Sequence, residues 1–299
     1  MTAVVALFGP TGIGKTAVAI ALADLLRVRG ERPVAISADA LQVYRGLETL
    51  TGAAGAGERA RLEHRLVAML PVTETFSVGE FAPLAHAEID RALEEGRRPI
   101  VVGGTGLYLR AALTDMELNP PPPPGLRERI EAELEERGVE ALHAELRGRA
   151  PAVAGAIEPT DRSRVVRALE LAEIGELSDP PEENELWADD VRRPTLLFGL
   201  TMERDELYRR IDERVERMVA EGAAEEVRRA AEAGASKTAR KALGFEELLR
   251  GDVEAMKRRT RNYAKRQLTW MRKLAGIRVL DVTGHKPVDV AGEIVRALG

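Results

Sequence analysis

The sequence predicts an α/β fold, with a mainly parallel sheet covered by helices on both faces. Three observations carry that prediction. Short apolar runs rich in β-branched residues alternate along the chain with helical stretches. The runs are apolar almost throughout, as expected of strands buried on both faces. Most of them are flanked by Gly, Pro or Asp.

The predicted strands are Val4–Phe8, Val34–Ser37, Ile100–Val102, Thr195–Leu200 and Arg278–Val282. Helical stretches at Lys15–Arg29 and Val78–Gly96 lie between the first three. The middle of the chain departs from the pattern. Asn119 is followed by five consecutive prolines, Pro120–Pro124, which favour a stiff extended segment. Gly125–Gly175 then reads as helical, without a convincing strand. From Glu170 to Asp190 there are nine acidic residues and no basic one, predicting a solvated, mobile loop. The expected organisation is a core of residues 1–114 and 195–299, with an all-helical insertion at 115–194. Beyond the strand at 195–200, one long helix is expected over Arg204–Gly234, burying Leu207, Ile211, Val215, Met218 and Val219. A second helix is expected over about Asp252–Leu274.

Composition excludes several chemistries. The 299 residues, 44% of them hydrophobic, suffice to bury a sizeable core. There is no cysteine, which removes disulfides, thiolate metal sites and a cysteine nucleophile. The four histidines (His64, His86, His143, His285) are not paired at ligand spacing. MTAVVALFGP has no basic leading region, and no apolar run approaches the length of a membrane span. A cytoplasmic protein with no membrane partner is expected, and a monomer, because no coiled-coil seam is visible. The formal net charge of −5 by itself weighs against a nucleic-acid partner.

The strongest local signal is Gly9-Pro10-Thr11-Gly12-Ile13-Gly14-Lys15-Thr16, which fits G-x-x-x-x-G-K-[ST] between a predicted strand and a predicted helix. Such a loop wraps a phosphate with its backbone and aims the helix N-terminus at it. Lys15 adds a mobile charge, and the Thr16 hydroxyl is a candidate Mg²⁺ ligand. The motif predicts a P-loop NTPase-like core that binds a di- or triphosphate. It does not name the reaction. The strand at 100–102 ends in Gly103-Gly104-Thr105-Gly106, with no carboxylate of the kind a motor ATPase would carry there. The strand at 34–37 runs instead into Asp39. Ligands gather at the carboxyl ends of parallel strands, so Asp39 and Thr105 are expected beside the loop. Asp39 reads as a metal ligand or general base, or alternatively as a helix cap. Thr105 reads as a site residue or as a turn-stabilising hydroxyl.

Three segments carry a specific resemblance. Ser37-Ala38-Asp39-Ala40-Leu41-Gln42-Val43-Tyr44-Arg45-Gly46, Val102-Gly103-Gly104-Thr105-Gly106-Leu107-Tyr108 and Arg164-Val165-Val166-Arg167-Ala168-Leu169-Glu170 resemble, in order, segments of the tRNA dimethylallyltransferases. Further similar segments are Arg210–Val215, Ala242–Phe245 and Lys265–Arg272, so the resemblance spans nearly the whole chain. It implies transfer of a dimethylallyl group from dimethylallyl diphosphate to the exocyclic amine of the adenosine just 3′ of the anticodon. The P-loop would then hold a diphosphate leaving group, and Asp39 would accept the amine proton. Thr105 would position the bridging oxygen and the amine. Lys15, Arg210 and Arg214 would steady the growing negative charge. Arg210 and Arg214 share one helix face, where the ordinary alternative is pairing with Asp212 or Glu213.

The resemblance also implies tRNA contacts. They fall at Asp39, Ala40, Leu41 and Gln42; at Thr105 and Arg127; and at Ser163, Arg164, Val165, Val166 and Arg167. Two further stretches are Lys241, Ala242, Leu243, Gly244, Phe245 and Glu246, and Lys265, Arg266, Gln267, Leu268, Thr269, Trp270, Met271 and Arg272. The sequence departs from the family at Leu50-Thr51-Gly52-Ala53-Ala54, where G-T-A-K-P is usual. It departs also at Ala40 (usually Ser), Phe245 (commonly Tyr) and Glu246 (commonly Lys or Arg). The absence of cysteine excludes the zinc finger of eukaryotic members, so the resemblance is to the bacterial form.

Two other enzyme classes fit the phosphate loop: an isopentenyltransferase acting on free adenine nucleotides, and a P-loop kinase for a small metabolite. The helical insertion and the basic segment favour tRNA. Between Lys257 and Lys273 there are eight basic residues and no acid, interleaved with Tyr263 and Trp270. Alone such a run reads as a solvated helix face. Beside the family motifs it predicts a tRNA affinity that falls steeply with salt despite the acidic total.

Overall fold

The computed structural model describes residues 3–116, 118–180 and 191–299. The chain divides into two compact units, 1–116 with 186–299 and 117–185. In the larger unit six strands form one parallel sheet in the order β4-β2-β6-β1-β7-β8. They are β1 (Val4–Phe8), β2 (Pro33–Ala38), β4 (His64–Arg65), β6 (Arg98–Gly103), β7 (Thr195–Thr201) and β8 (Arg278–Asp281). A two-residue ladder, β3 (Tyr44–Arg45) with β5 (Leu70–Pro71), lies apart from this sheet. β1 and β2 are buried throughout, as their unbroken apolar sequences require.

The register sets up everything that follows. Phe8 pairs with Gly103, and so does Ala38. The carboxyl ends of β1, β2 and β6 therefore lie abreast, and the loops beginning at Gly9, Asp39 and Gly104 leave the same sheet edge.

Helices α1 (Lys15–Val28), α2 (Glu48–Thr51), α3 (Ala56–Arg61), α4 (Val78–Glu94) and α5 (Gly106–Leu113) follow in chain order. The Ser77–Glu80 capping box starts α4. In the second unit lie α6 (Leu126–Arg137), α7 (Val139–Arg149), α8 (Pro151–Gly155) and α9 (Arg162–Ile174). They pack around Ile130, Leu134, Leu142, Leu146, Val165 and Leu169, and no strand occurs among the described residues of this unit. The proline run carries neither helix nor strand.

The larger unit resumes with α10 (Arg204–Ala220), α11 (Ala223–Glu232), α12 (Phe245–Leu249), α13 (Val253–Met271) and α14 (Pro287–Ala297). α13 is capped by the Asp252 carboxylate, which accepts from Ala255 N at 2.8 Å.

Three expectations need correction. The single helix at 204–234 is two, because Gly222 adopts φ 95° and closes α10 after Glu221. Of its predicted stripe, Leu207, Ile211, Val215 and Met218 are buried, whereas Val219 is only half-buried. Asp115 and Arg192, expected within the insertion at 115–194, fall in the larger unit, where Arg192 pairs with Asp115 and with Asp90. The acidic stretch is not wholly a solvated loop. Glu170 lies within α9 and is fully buried, and Arg127 and Arg167 both reach its carboxylate, at 2.5 and 2.9 Å. Residues 181–190 of that stretch lie outside the described residues.

Candidate active site

A cleft of about 830 Å³ opens at the carboxyl edge of the sheet. Its lining includes Thr11, Gly12, Gly14, Lys15 and Thr16 from the phosphate loop, Asp39–Gln42 after β2, and Thr105 after β6. It also includes Arg210 and Arg214 from α10, Lys241 and Leu243 before α12, and Tyr263, Arg266 and Gln267 from α13. Gly9, Pro10 and Ile13 complete the loop behind this surface, with Ile13 in the core.

Lys15 curls back over its loop, donating from Nζ to the carbonyls of Gly9 at 2.9 Å and Pro10 at 3.1 Å. Burial first, and the neighbouring Arg214 charge second, push its pKa down to about 8, while Asp39 opposes them. Arg214 is lowered as well, mainly by burial, with Asp39 again opposing. Its one direct bond among the described residues is a long one, Nη2 to Thr51 O at 3.4 Å. Two buried cations thus lie on one cleft within electrostatic reach of Asp39, with Glu58 a further carboxylate acting on Arg214. The arrangement favours an added polyanion.

The two arginines are not equivalent. Arg210 is engaged at 2.6 Å by Glu206, one turn back, and does not figure in the shift of Lys15. The partners considered from sequence are used elsewhere: Asp212 by Arg261 and Glu213 by Arg209.

Asp39 is not a helix cap. It closes an Asx-type turn, with Oδ1 accepting from Leu41 N at 2.9 Å and Gln42 N at 3.4 Å. Oδ2 makes no hydrogen bond among the described residues, so one carboxylate oxygen is fixed and the other is open to a ligand. Gln42 accepts from Ser37 Oγ at 3.0 Å and donates to Gly52 O at 3.3 Å. Thr105 Oγ1 lies 3.1 Å from the Tyr263 hydroxyl. The Thr16 hydroxyl and the Asp39 carboxylate are oxygen donors on one cleft. No cluster of three His, Cys, Asp or Glu occurs among the described residues. That donor set fits a hard cation shared with substrate phosphates and water, the mode preferred by Mg²⁺.

Helix α13 divides by face. Tyr263, Gln267 and Trp270, spaced as i, i+4 and i+7, point inward. Gln267 accepts from Thr11 N at 2.8 Å and donates to Gly104 O at 2.7 Å, tying the phosphate loop to the β6–α5 loop. A Cβ at Gly104 would meet Gln267 Nε2 at 2.4 Å, and one at Gly106 would meet the Trp270 ring at 2.2 Å. The glycines of this loop therefore let α13 seat directly against it. Gln267, expected at the tRNA surface, is buried with its amide committed to two backbones. Met271 is buried too, and Leu268 packs against the core. Lys265, Arg266, Thr269 and Arg272 are exposed. In the amino-terminal half three of the four bases pair with acids on other elements: Lys257 with Glu216, Arg259 with Glu247 and Arg261 with Asp212.

The remaining predicted contacts divide the same way. Lys241 is exposed and Leu243 lines the cleft, whereas Ala242, Gly244 and Phe245 are buried, and Glu246 pairs with Arg240. In the insertion, Ser163 and Arg164 are exposed at the start of α9, while Val165 and Val166 are core. Arg127 and Arg167 serve Glu170, and Arg167 also donates to Asn119 O and Pro120 O. Tyr263, which lies in none of the segments that carry the family resemblance, also lines the cleft. Its spacing from Gln267 and Trp270 is the signal that marks the inward face.

The family model described as IPP transferase matches residues 42–274, and that described as isopentenyl transferase matches 2–74. The chain is 39% identical to a tRNA dimethylallyltransferase of Kineococcus radiotolerans, covering 98% of this chain and 96% of that one. It is 40% identical to one of Thermomicrobium roseum, covering 94% and 86%. Among solved structures, the full-length tRNA isopentenylpyrophosphate transferase of Bacillus halodurans superposes with TM-score 0.70 at 34% identity, covering 100% of this chain and 97% of that one. A eukaryotic dimethylallyltransferase acting on tRNA superposes with TM-score 0.76 at 26% identity, over 95% and 74%. With its phosphate loop, its Asp39 turn and its Thr105 loop gathered at one sheet edge, this chain belongs to the IPP transferase family.

Proposed function

We propose that the protein transfers a dimethylallyl group from dimethylallyl diphosphate to N6 of the adenosine 3′-adjacent to the anticodon of tRNA, releasing diphosphate. Family membership supports the activity. The observation that carries the chemistry is the juxtaposition of two desolvated cations, Lys15 and Arg214, with the open oxygen of Asp39 in one cleft.

The diphosphate lies on the loop amides and the α1 N-terminus, where Lys15 leaves its carbonyl partners for the phosphate oxygens. Arg214, rather than Arg210, is the arginine that meets it. Thr16, with Asp39 nearby, would hold Mg²⁺, which would supply charge neutralisation at the diphosphate. The target adenosine leaves its stack to enter the cleft, where Gln42 meets its edge and Asp39 Oδ2 takes the amine proton. The exposed face of α13, with Lys265, Arg266, Thr269 and Arg272, meets the tRNA backbone. Lys241, Ser163 and Arg164 extend the set of contacts. The protein works as a cytoplasmic monomer, where its tRNA substrate resides.

Radiolabel transfer from dimethylallyl diphosphate to unmodified tRNA tests the reading. Label is expected in tRNAs with adenosine 3′ of the anticodon, and it is lost in Asp39→Ala. Absence of transfer to any such tRNA overturns it. Affinity for tRNA is expected to fall steeply with salt, and the slope of log Kd against log salt to drop by roughly one for each of Lys265, Arg266 and Arg272 replaced by Gln.

A further inference from the structure

Tyr263 lies outside the segments that carry the family resemblance, yet its hydroxyl lies on the cleft beside Thr105. Thr105 is its one hydrogen-bond partner among the described residues, at 3.1 Å. The ring is fixed from behind by Arg266, whose guanidinium carbon lies 5.5 Å from its centroid. The residue projects from α13 at the level where Gln267 and Trp270 clamp that helix to the β6–α5 loop.

This geometry constrains two protons. The 3.1 Å contact allows either hydroxyl to donate, and with Tyr263 as the donor its largely buried O–H is satisfied by Thr105 Oγ1. Once Thr105 accepts from Tyr263, its own proton must point elsewhere, and the cleft is the open direction.

We propose that Tyr263 is a positioning residue for the prenyl transfer: it donates to Thr105 Oγ1 and so turns the Thr105 hydroxyl toward the bridging oxygen of the departing diphosphate. The inference rests on the transferase reading above. In the step it serves, the bond from the allylic carbon to the bridging oxygen breaks and the electron pair leaves with the diphosphate. A bond from N6 to that carbon forms, and the amine proton passes to Asp39. Thr105 and Tyr263 give up no proton. They form a two-member donor chain that strengthens as charge grows on the bridging oxygen. The groups that face the Tyr263 hydroxyl suit this task. Burial foremost, with Asp39 at the end of β2 acting in the same direction, pushes its pKa up to about 12, against the smaller pull of Thr105 and of Arg266 on its own helix. The phenol stays protonated and able to donate throughout the physiological range.

The experiment is steady-state kinetics of Tyr263→Phe in the full chain. Loss of one donor in the chain lowers kcat about fivefold to tenfold, with the KM values for dimethylallyl diphosphate and tRNA, and the Kd for inorganic diphosphate, within twofold. Thr105→Val lowers kcat further, and adding Tyr263→Phe to it changes kcat by less than twofold. A structural role would move KM, Kd and the melting temperature together. It would also persist in the Thr105→Val background. The second arm places 3-fluorotyrosine at 263, which keeps the ring and hydroxyl and hence the fold. Its more acidic phenol loses its proton at lower pH, so kcat declines on the alkaline side where the unmodified enzyme holds steady. Unchanged kcat in Tyr263→Phe, or an unaltered alkaline profile in the fluorotyrosine enzyme, overturns the proposal. A wild-type chain without prenyl transfer overturns the transferase reading instead.

Discussion

The cations of the cleft and those of the helical insertion look alike in sequence and behave oppositely in the fold. In the insertion, Arg127 and Arg167 share the buried carboxylate of Glu170. Charge is satisfied locally, and the pair of guanidiniums holds α6, α9 and the start of the proline run together. In the cleft, Lys15 and Arg214 lie within electrostatic reach of Asp39, and burial lowers both. The difference teaches how to sort basic residues within a motif. A paired cation maintains structure, whereas crowded and under-compensated cations store the capacity to bind an anion.

The largest test removes a cleft cation. Lys15→Met is expected to lower kcat/KM for dimethylallyl diphosphate by about 10²–10³-fold and, at the same time, to raise the melting temperature. The sign follows from the shift. The folded-state pKa of about 8 lies below the ordinary 10.5, so the charged form is disfavoured by the fold below 8, and that penalty vanishes above 10.5. Relief at pH 7 is worth up to about 3 kcal/mol. Calorimetric scans from pH 7 to 10 should show the stability gap between variant and wild type closing. A destabilised Lys15→Met would break the contrast with the insertion.

The same shift predicts a titration. Bound diphosphate restores the proton to Lys15, so the affinity for inorganic diphosphate falls about tenfold per pH unit once the pH exceeds 8. Isothermal titration between pH 6.5 and 9.5 checks it. A flat profile would mean that Lys15 does not touch the anion.

In the insertion the expected response is one of stability. Arg127→Met leaves the buried Glu170 with Arg167 as its remaining cation, and costs about 2 kcal/mol. Thermal melting reads the loss, and the Kd for diphosphate stays unchanged. A loss of tRNA affinity without loss of stability would return Arg127 to the role that the family resemblance implied.

Much of this was legible in the sequence. The strand–loop–helix context of Gly9–Thr16, and the position of Asp39 and Thr105 after predicted strands, anticipated the sheet edge that the register confirms. What escaped detection depended on partners far along the chain. A run of acids cannot disclose that Glu170 is buried, because the guanidinium from position 127 is brought to it only by the packing of α6 on α9. A run of bases cannot disclose that Lys257, Arg259 and Arg261 are neutralised by Glu216, Glu247 and Asp212. Nor does a contiguous motif reveal that Gln267 is buried against the phosphate loop while Lys265, two residues earlier, is exposed. Gly222 is hidden in the sequence for a different reason, since helical periodicity continues on both sides of it.

The smallest test concerns Gly52, which stands where the family pattern has alanine. Gly52 ends α2 with φ 60°, and its carbonyl receives the Gln42 amide at 3.3 Å. The turn is held from outside by Glu226, whose carboxylate accepts from Thr49 N at 3.0 Å and Leu50 N at 2.9 Å. A Cβ on Gly52 would stand 1.8 Å from Arg214 Nη2. That atom is the tip of a flexible side chain, so the fold would yield by moving the guanidinium instead of unfolding. Gly52→Ala should cost only about 1 kcal/mol in stability, the strain of alanine at positive φ. It should weaken diphosphate binding about threefold to tenfold, as expected for one displaced charge-assisted hydrogen bond. In an Arg214→Met background the same substitution should change that Kd by less than twofold, because the group it displaces is gone. If Gly52→Ala binds diphosphate as tightly as the wild type, Arg214 is not an anion ligand where it stands. The contrast between cleft and insertion would then rest on Lys15 alone.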